Sequence, residues 1–180
     1  MERHSPRPTR LSKGTVHTFS ESVALRLGFG FSDPIEPLVS RLGGKIAFSE
    51  PHKSQGGYPE SITVSAPDDF TIYLPHVTSL VRDRFTIAHE LGHLFLHYPI
   101  VAQGQQGVVM FATRWVDENN EVLRRCEWEA NWFAAGFLMP AAPFMASYEK
   151  HHGDLGSVAS DFLVSVKAAE VRAKSLCLLS

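Results

Sequence analysis

Apolar positions recur along the chain with two distinct periods. In DPIEPLVSRLGG they step by three and four (Ile35, Leu38, Val39, Leu42), with Asp33 as N-cap, Pro34 in the first turn and Gly43 as a stop, which predicts a short helix. Alternation by two takes over in KIAFSE (Lys45 to Glu50), Ser61 to Ser65 and Phe70 to Leu74, three strands of which the last two are joined by Pro67, Asp68 and Asp69 as turn residues. The PHKSQGGYPE stretch between the first two is loop by composition. From Val77 to Tyr98 the chain has no Pro and only one Gly, Gly92, and Pro75 and Pro99 bracket it, predicting one straight helix of about six turns. A second helix is expected from Glu121 to Met139, ended by Pro140, with Val108 to Val116 between the two as an edge strand. Three shorter helical segments follow, in AAPFMASYEKHH, LGSVASDF and VKAAEVRAKSLCLL. ESVALRLGF (Glu21 to Phe29) is only loosely helical, and residues 1 to about 18, rich in Arg, Pro, Ser and Thr, are expected to form a flexible N-terminus.

These elements sum to an α+β fold: a small, mostly antiparallel sheet of about three strands packed on two long helices, with a C-terminal helical cap over about residues 141–180. A chain of 180 residues, 44% hydrophobic, supports one core, so a single domain over 19–180 is expected. The net charge of -2 offers no general attraction to nucleic acid or anionic membrane. Cys126 and Cys177 lack CxxC spacing, and MERHSPRPTR carries charges and prolines where a secretory leader needs an apolar run; reduced thiols in the cytoplasm are expected. No run approaches the ~18 apolar residues of a membrane span, so a soluble protein is expected.

The chemistry concentrates in TIAHELGH, Thr86 to His93. Chance alone would place H-E-x-x-H in roughly 3% of shuffled chains of this composition, so context must decide. On a helix, Arg82, Thr86, His89, Glu90, His93 and His97 share a sector of about 100°, while apolar residues occupy most of the rest. Histidines four apart project from adjacent turns in one direction and can reach one zinc ion, whereas Glu90 projects beside that ion, where a carboxylate can take a proton from activated water.

A catalytic zinc needs a third protein ligand and an open position. A third metzincin-type histidine is excluded by Leu96 and Pro99, and His97 on the same straight helix would lie too far along the axis. The remaining donors are Glu127 and Glu129 in CEWEANWFAAGFLMP. Glu127 shares a face with Ala130, Asn131 and Ala134, where small residues permit close approach and Asn131 can hydrogen-bond a ligand; Glu129 lies about 160° away, near Arg125 and Trp132. Glu127 is the better-placed ligand, with Glu129 read as solvated or ion-paired and Cys126 as a buried thiol.

RFTIAHELGHLFLH, followed about thirty residues later by EWEANWFAAGFLMP, resembles the ImmA/IrrE family of zinc metallopeptidases, and the likeness extends over roughly residues 33–175. The resemblance implies a gluzincin-like helix pair, one zinc ion held by His89, His93 and Glu127, and Glu90 as catalytic glutamate. Gly136 and Phe137 depart from its pattern, where a larger polar residue and a leucine are expected. It implies peptide hydrolysis of a protein substrate, of the helix-turn-helix repressor type, in a bacterial or phage-encoded cytoplasmic protein. His97, Tyr98, Arg82 and Arg114 are candidates for contacts to substrate or transition state, and VVMFAT for either a strand-edge cleft wall or core. Two other readings compete. One is a zinc-bearing regulatory or toxin-antitoxin protein with little protease activity. The other is a DNA-binding regulator, suggested by the helix-step-helix of GDLGSVASDFLVSVKAAEVRAK, although direct binding of nucleic acid is disfavoured by its thin basic content of Lys167, Arg172 and Lys174.

Overall fold

The computed structural model describes residues 2–48, 59–76, 78–105 and 107–179. Among these, five strands form one sheet: β1 (Glu2–His4), β2 (Gly44–Phe48), β3 (Glu60–Ala66), β4 (Asp69–Leu74) and β5 (Val108–Thr113), in the order β1-β5-β3-β4-β2. β3 runs antiparallel to β4 and β5, whereas the β1–β5 and β2–β4 pairs are parallel. The α+β class therefore stands, but the sheet is five-stranded and mixed instead of three-stranded and mostly antiparallel. The β3–β4 hairpin follows from local turn chemistry, while both parallel pairings are non-local and leave no short-range signal. β1 has no apolar alternation at all. Its backbone pairing is supported by an Arg3–Glu60 bridge at 2.9 Å and by the Arg3 guanidinium over the Phe111 ring at 4.7 Å. β5 is consequently an interior strand, with Val108, Met110 and Ala112 in the core, and the edge expected at VVMFAT is covered. Residues 49–58, most of the expected loop and the end of the first expected strand, lie outside the described residues.

The N-terminal segment expected to be flexible is built into the fold. Besides β1, it forms α1 (Lys13–Arg26), N-capped by Ser12, whose side chain accepts from the Thr15 N–H; Val16 is fully buried. α1 packs on α5 (Glu121–Leu138), and Gly136 makes the contact possible. A Cβ there would overlap Ser20 Oγ and lie 2.9 Å from the His17 carbonyl oxygen. The departure noted at Gly136 thus records the docking of α1. α2 (Glu36–Arg41) buries Ile35, Leu38 and Val39 as expected, but the Asp33 carboxylate accepts from the Gly30 N–H at 2.7 Å instead of capping the helix.

The long helix is also not straight. α3 (Leu80–Gly92), capped by Ser79, passes into a π-helical turn (His93–His97) and then α4 (Tyr98–Ala102), so the segment continues through Pro99. Pro99 has no N–H to offer and its ring would strike the carbonyl four residues back; widening the turn relieves both problems, with the Tyr98 N–H bonding to the His93 carbonyl.

The cap comprises α6 (Ala141–Lys150), α7 (Leu155–Asp161) and α8 (Val166–Ser175), close to the expected segments. Arg172 of α8 is buried and ties three elements together: Nε donates to the Met139 carbonyl (2.8 Å), Nη1 to His17 Nδ1 (2.9 Å) and Nη2 to Glu21 Oε1 (2.7 Å). Lys167 and Lys174 both pair with Glu170, at 2.9 and 3.1 Å, so all three cations of α8 are engaged within the fold. No described helix is long and apolar enough to cross a membrane.

Two expectations follow from this packing. Gly136→Ala should destabilise the protein by about 1–3 kcal/mol in denaturant unfolding, because the displaced groups include backbone. Burial, then the charges of Arg172 and Lys13, hold His17 down to about 4. The unfolded chain binds that proton more readily, so stability should fall as pH drops below about 6.5 and continue falling to about 4. His17→Gln keeps an acceptor for Arg172 without titrating, and should remove on the order of 2 kcal/mol of that decline, read from urea midpoints across the pH range.

Candidate metal centre

α3 presents its apolar side, including Ile87, Ala88 and Leu91, to the core, and its polar stripe to a cleft. α5, N-capped by Asn120, crosses it at Gly92, where an added Cβ would lie 3.0 Å from Ala130 Cα and 3.1 Å from Phe133 Cβ. This close approach brings Glu127 against the two motif histidines. His89 Nε2 lies 3.2 Å from Glu127 Oε2, His93 Nε2 lies 3.2 Å from Glu127 Oε1, and the two Nε2 atoms are 3.2 Å apart. Among the described residues these three side chains are the group able to hold a metal ion, with ligand atoms within 4.8 Å of one another.

The hydrogen-bond roles show what the centre needs. Asn131 Oδ1 accepts from His89 Nδ1 at 3.0 Å, which leaves a lone pair on His89 Nε2. Glu127 contributes only lone pairs when ionised. Donor atoms of this kind, facing one another at 3.2 Å inside the protein, need a proton or a metal cation among them. Two imidazoles and a carboxylate, with His89 oriented by an outer amide, match the donor set of a catalytic zinc site.

Without a cation, protons take its place unevenly. Burial alone would lower His89, but hydrogen bonding to Glu127 and the charges of Glu90 and Glu127 raise it to about 9. For His93 burial wins, against the pull of Glu127, and holds it down to about 4. Glu127 lies well below the usual carboxylate range: burial would raise it, but the facing imidazoles of His89 and His93 prevail.

Glu90 stands beside this group and is almost fully buried. Ser61 Oγ on β3 donates to its Oε2 at 3.1 Å. Burial pushes its carboxyl up to about 7, aided by the Glu127 charge and restrained by His89, by the Ser61 hydrogen bond and by Arg114. Ser61 was not among the residues expected from the sequence; one serine at the start of a strand carries no signal for such a role.

A cleft of about 550 Å³ opens over His89, Glu90 and Glu127, and is also lined by Arg82, Arg114 and Trp115. It shares Arg82, Phe85, Thr86 and Asn131 with a neighbouring groove of about 770 Å³, walled by Trp128, Trp132 and Val171. Of the expected contact candidates, Arg82 and Arg114 line the cleft, and Arg114 also donates to the Tyr73 carbonyl at 3.1 Å. His97 and Tyr98 do not line it. Tyr98 donates to the Ser65 carbonyl at 3.0 Å, pinning the helix to the sheet, and His97 is fully buried behind His93. Glu129 is ion-paired with Arg125 and hydrogen-bonded to His97, but it is fully buried, so the solvated alternative does not apply. Burial would raise it; His97, Arg125 and Thr9 bring it down to about 2. Cys126 is buried, and burial with the Glu129 and Glu127 charges pushes its thiol up to about 12, leaving it unreactive.

The Peptidase_M78 family model, described as IrrE N-terminal-like domain, matches residues 63–174, more than half of the chain, a span that includes His89, Glu90, His93 and Glu127. No curated protein matches the sequence. Among solved structures the chain is similar to a Mycobacterium tuberculosis transcriptional regulator, with 18% sequence identity and a TM-score of 0.54. The match covers 86% of this chain and 45% of that one, so the chain spans less than half the length of the regulator, and at this identity the likeness is one of fold.

The donor set predicts zinc at one ion per chain. His93→Ala and Glu127→Ala should each lower retained zinc at least tenfold after dialysis, by elemental analysis of protein that still melts cooperatively; full retention in both would remove the ligand assignment.

Proposed function

The chain belongs to the IrrE N-terminal-like peptidase family (Peptidase_M78), and from that premise we propose that it is a zinc-dependent metalloendopeptidase acting on a protein substrate of the helix-turn-helix repressor type. The observation that carries the reading is the convergence of His89 Nε2, His93 Nε2 and the Glu127 carboxylate, with Glu90 buried alongside and turned to a separate partner, Ser61. Held by His89, His93 and Glu127, zinc would supply Lewis acidity, polarising a peptide carbonyl and making water acidic enough to yield a nucleophile near neutral pH.

The chain's own groups do the rest. Glu90 accepts the proton of the attacking water and returns it to the departing amine. Burial pushes its carboxyl up toward neutrality, the range in which one group can both take and give a proton. Ser61 occupies Oε2, which leaves Oε1 for the transfer and keeps the side chain beside the ligands instead of among them. Asn131 orients His89. Arg82 and Arg114, both lining the cleft, supply positive charge for the peptide carbonyl as it becomes an oxyanion.

The choice of a protein substrate is supported by the open cleft and the groove that continues it past Phe85 and Asn131, which together accommodate an extended polypeptide. The choice of a repressor is supported by the family resemblance; the structural neighbour is itself a transcriptional regulator. The test uses purified helix-turn-helix repressors encoded beside this protein's own gene, incubated with zinc-loaded wild type and Glu90→Gln and followed by intact mass. Wild type should produce two fragments. Glu90→Gln should retain zinc and cut about 10²–10⁴-fold more slowly. Undiminished cleavage by Glu90→Gln removes it as the base, and equal zinc binding with no product from wild type favours a non-catalytic regulatory protein.

A further inference from the structure

Behind the metal centre runs a line of polar groups that the proposed hydrolysis does not use. His97 Nδ1 lies 3.0 Å from His93 Nδ1, His97 Nε2 lies 3.2 Å from Glu129 Oε2, and all three side chains have no solvent exposure. Glu129 gathers further donors. The Thr9 N–H and Oγ1–H both reach Oε2 at 2.8 Å, while the Arg10 N–H and Arg125 Nε–H reach Oε1 at 2.8 and 2.9 Å. Such a carboxylate is an acceptor only, so the hydrogen in its contact with His97 sits on His97 Nε2.

The remaining assignments follow down the line. A neutral imidazole protonated at Nε2 offers a lone pair at Nδ1, so the hydrogen between the two rings belongs to His93 Nδ1. His93 Nε2 is then left with its lone pair directed toward Glu127 Oε1 and His89 Nε2. His93 and His97 are the first and last residues of the π-helical turn, and their Nδ1 atoms lie 3.0 Å apart.

We propose that His97 and Glu129 are positioning residues that fix His93 in its Nδ1-protonated tautomer and hold its ring, with the Thr9–Arg10 backbone and Arg125 clamping Glu129. The proposal rests on the assignment of His89, His93 and Glu127 as metal ligands. His89 receives the corresponding service from Asn131, but through a side chain that lines the cleft, whereas the His93 support is entirely enclosed. It also joins the N-terminal strap to the metal centre, since Thr9 and Arg10 lie 120 and 119 residues from Glu129 in sequence. Restraint of this kind on a ligating histidine is worth about 10–100-fold in metal affinity.

The test compares zinc affinity, by competition with a chromophoric chelator, for wild type, His97→Phe and His97→Gln, with apo melting temperatures alongside. His97→Phe fills the space but can accept nothing from His93, and should bind zinc about 10–100-fold more weakly. His97→Gln offers an amide oxygen toward His93 and an N–H toward Glu129, and should return to within about threefold of wild type. A purely structural histidine would change melting without this rescue of affinity. Long-range 1H–15N spectra of zinc-free wild type should show His93 protonated at Nδ1, a result that needs neither a variant nor the metal. Wild-type affinity in His97→Phe, or an Nε2-protonated His93, overturns the proposal while leaving the ligand assignment intact; wild type that binds no zinc overturns both.

Discussion

The contact between α3 and α5 at Gly92 is the constraint on which the centre depends. Two histidines on one helix converge by themselves, but a third donor from another helix arrives only if the backbones come close, and a single Cβ at Gly92 would press on Ala130 and Phe133. Ala130 has no bulk to resist the approach, and Glu127 lies one turn before it, level with the imidazoles. The result is a set of lone-pair donors 3.2 Å apart. Either a proton on His89 or a bound cation satisfies these facing atoms, and the packing around the two helices holds them at that spacing.

The elements outside the helix pair supply that restraint. α1 lies against α5 through Gly136, Phe19 meets Phe133 at 6.2 Å between ring centres, and buried Arg172 fastens α8 to α1 and to the end of α5. On the other side, β3 delivers Ser61 to Glu90, and Tyr98 anchors the chain beyond the π-helical turn to the same strand. Sheet and cap therefore each fix one of the two helices of the candidate metal centre.

Much of this was legible in the sequence, and the parts that were not share a physical cause. The H-E-x-x-H spacing, the apolar surroundings of its helix and the face shared by Glu127, Ala130 and Asn131 are periodic and local, and the geometry places those side chains together. The hairpin between β3 and β4 was local too. β1 was missed because three polar residues pair through backbone groups, which carry no residue signature. α1 reads as frayed up to about residue 18 and only loosely helical from Glu21 because its mixed polar surface hides a few deeply buried positions, Val16, Ser20 and Ala24. Pro99 read as a terminator because proline ends an α-helix, but a π-helical turn escapes that rule. The sequence points His97 toward substrate and Glu129 toward solvent or an ion pair, because their mutual contact joins two helices 32 residues apart and leaves no local signal.

Three buried or half-buried glutamates finally show how environment divides one residue type into different tasks. Glu127 faces two imidazoles and stays ionised far below the usual range, which suits a candidate ligand. Glu129, ringed by His97, Arg125 and the Thr9 and Arg10 amides, is held down to about 2 and acts as a fixed negative anchor. Glu90, with a single hydroxyl donor, has the burial of the others without their compensation, and rises to about 7. A positive ion added beside it would favour its charged form, shifting the carboxylate toward the state that accepts a proton. Glu90 is thus the glutamate of the three that its surroundings push upward, and this follows from what its neighbours fail to donate as much as from its place after His89 in the sequence.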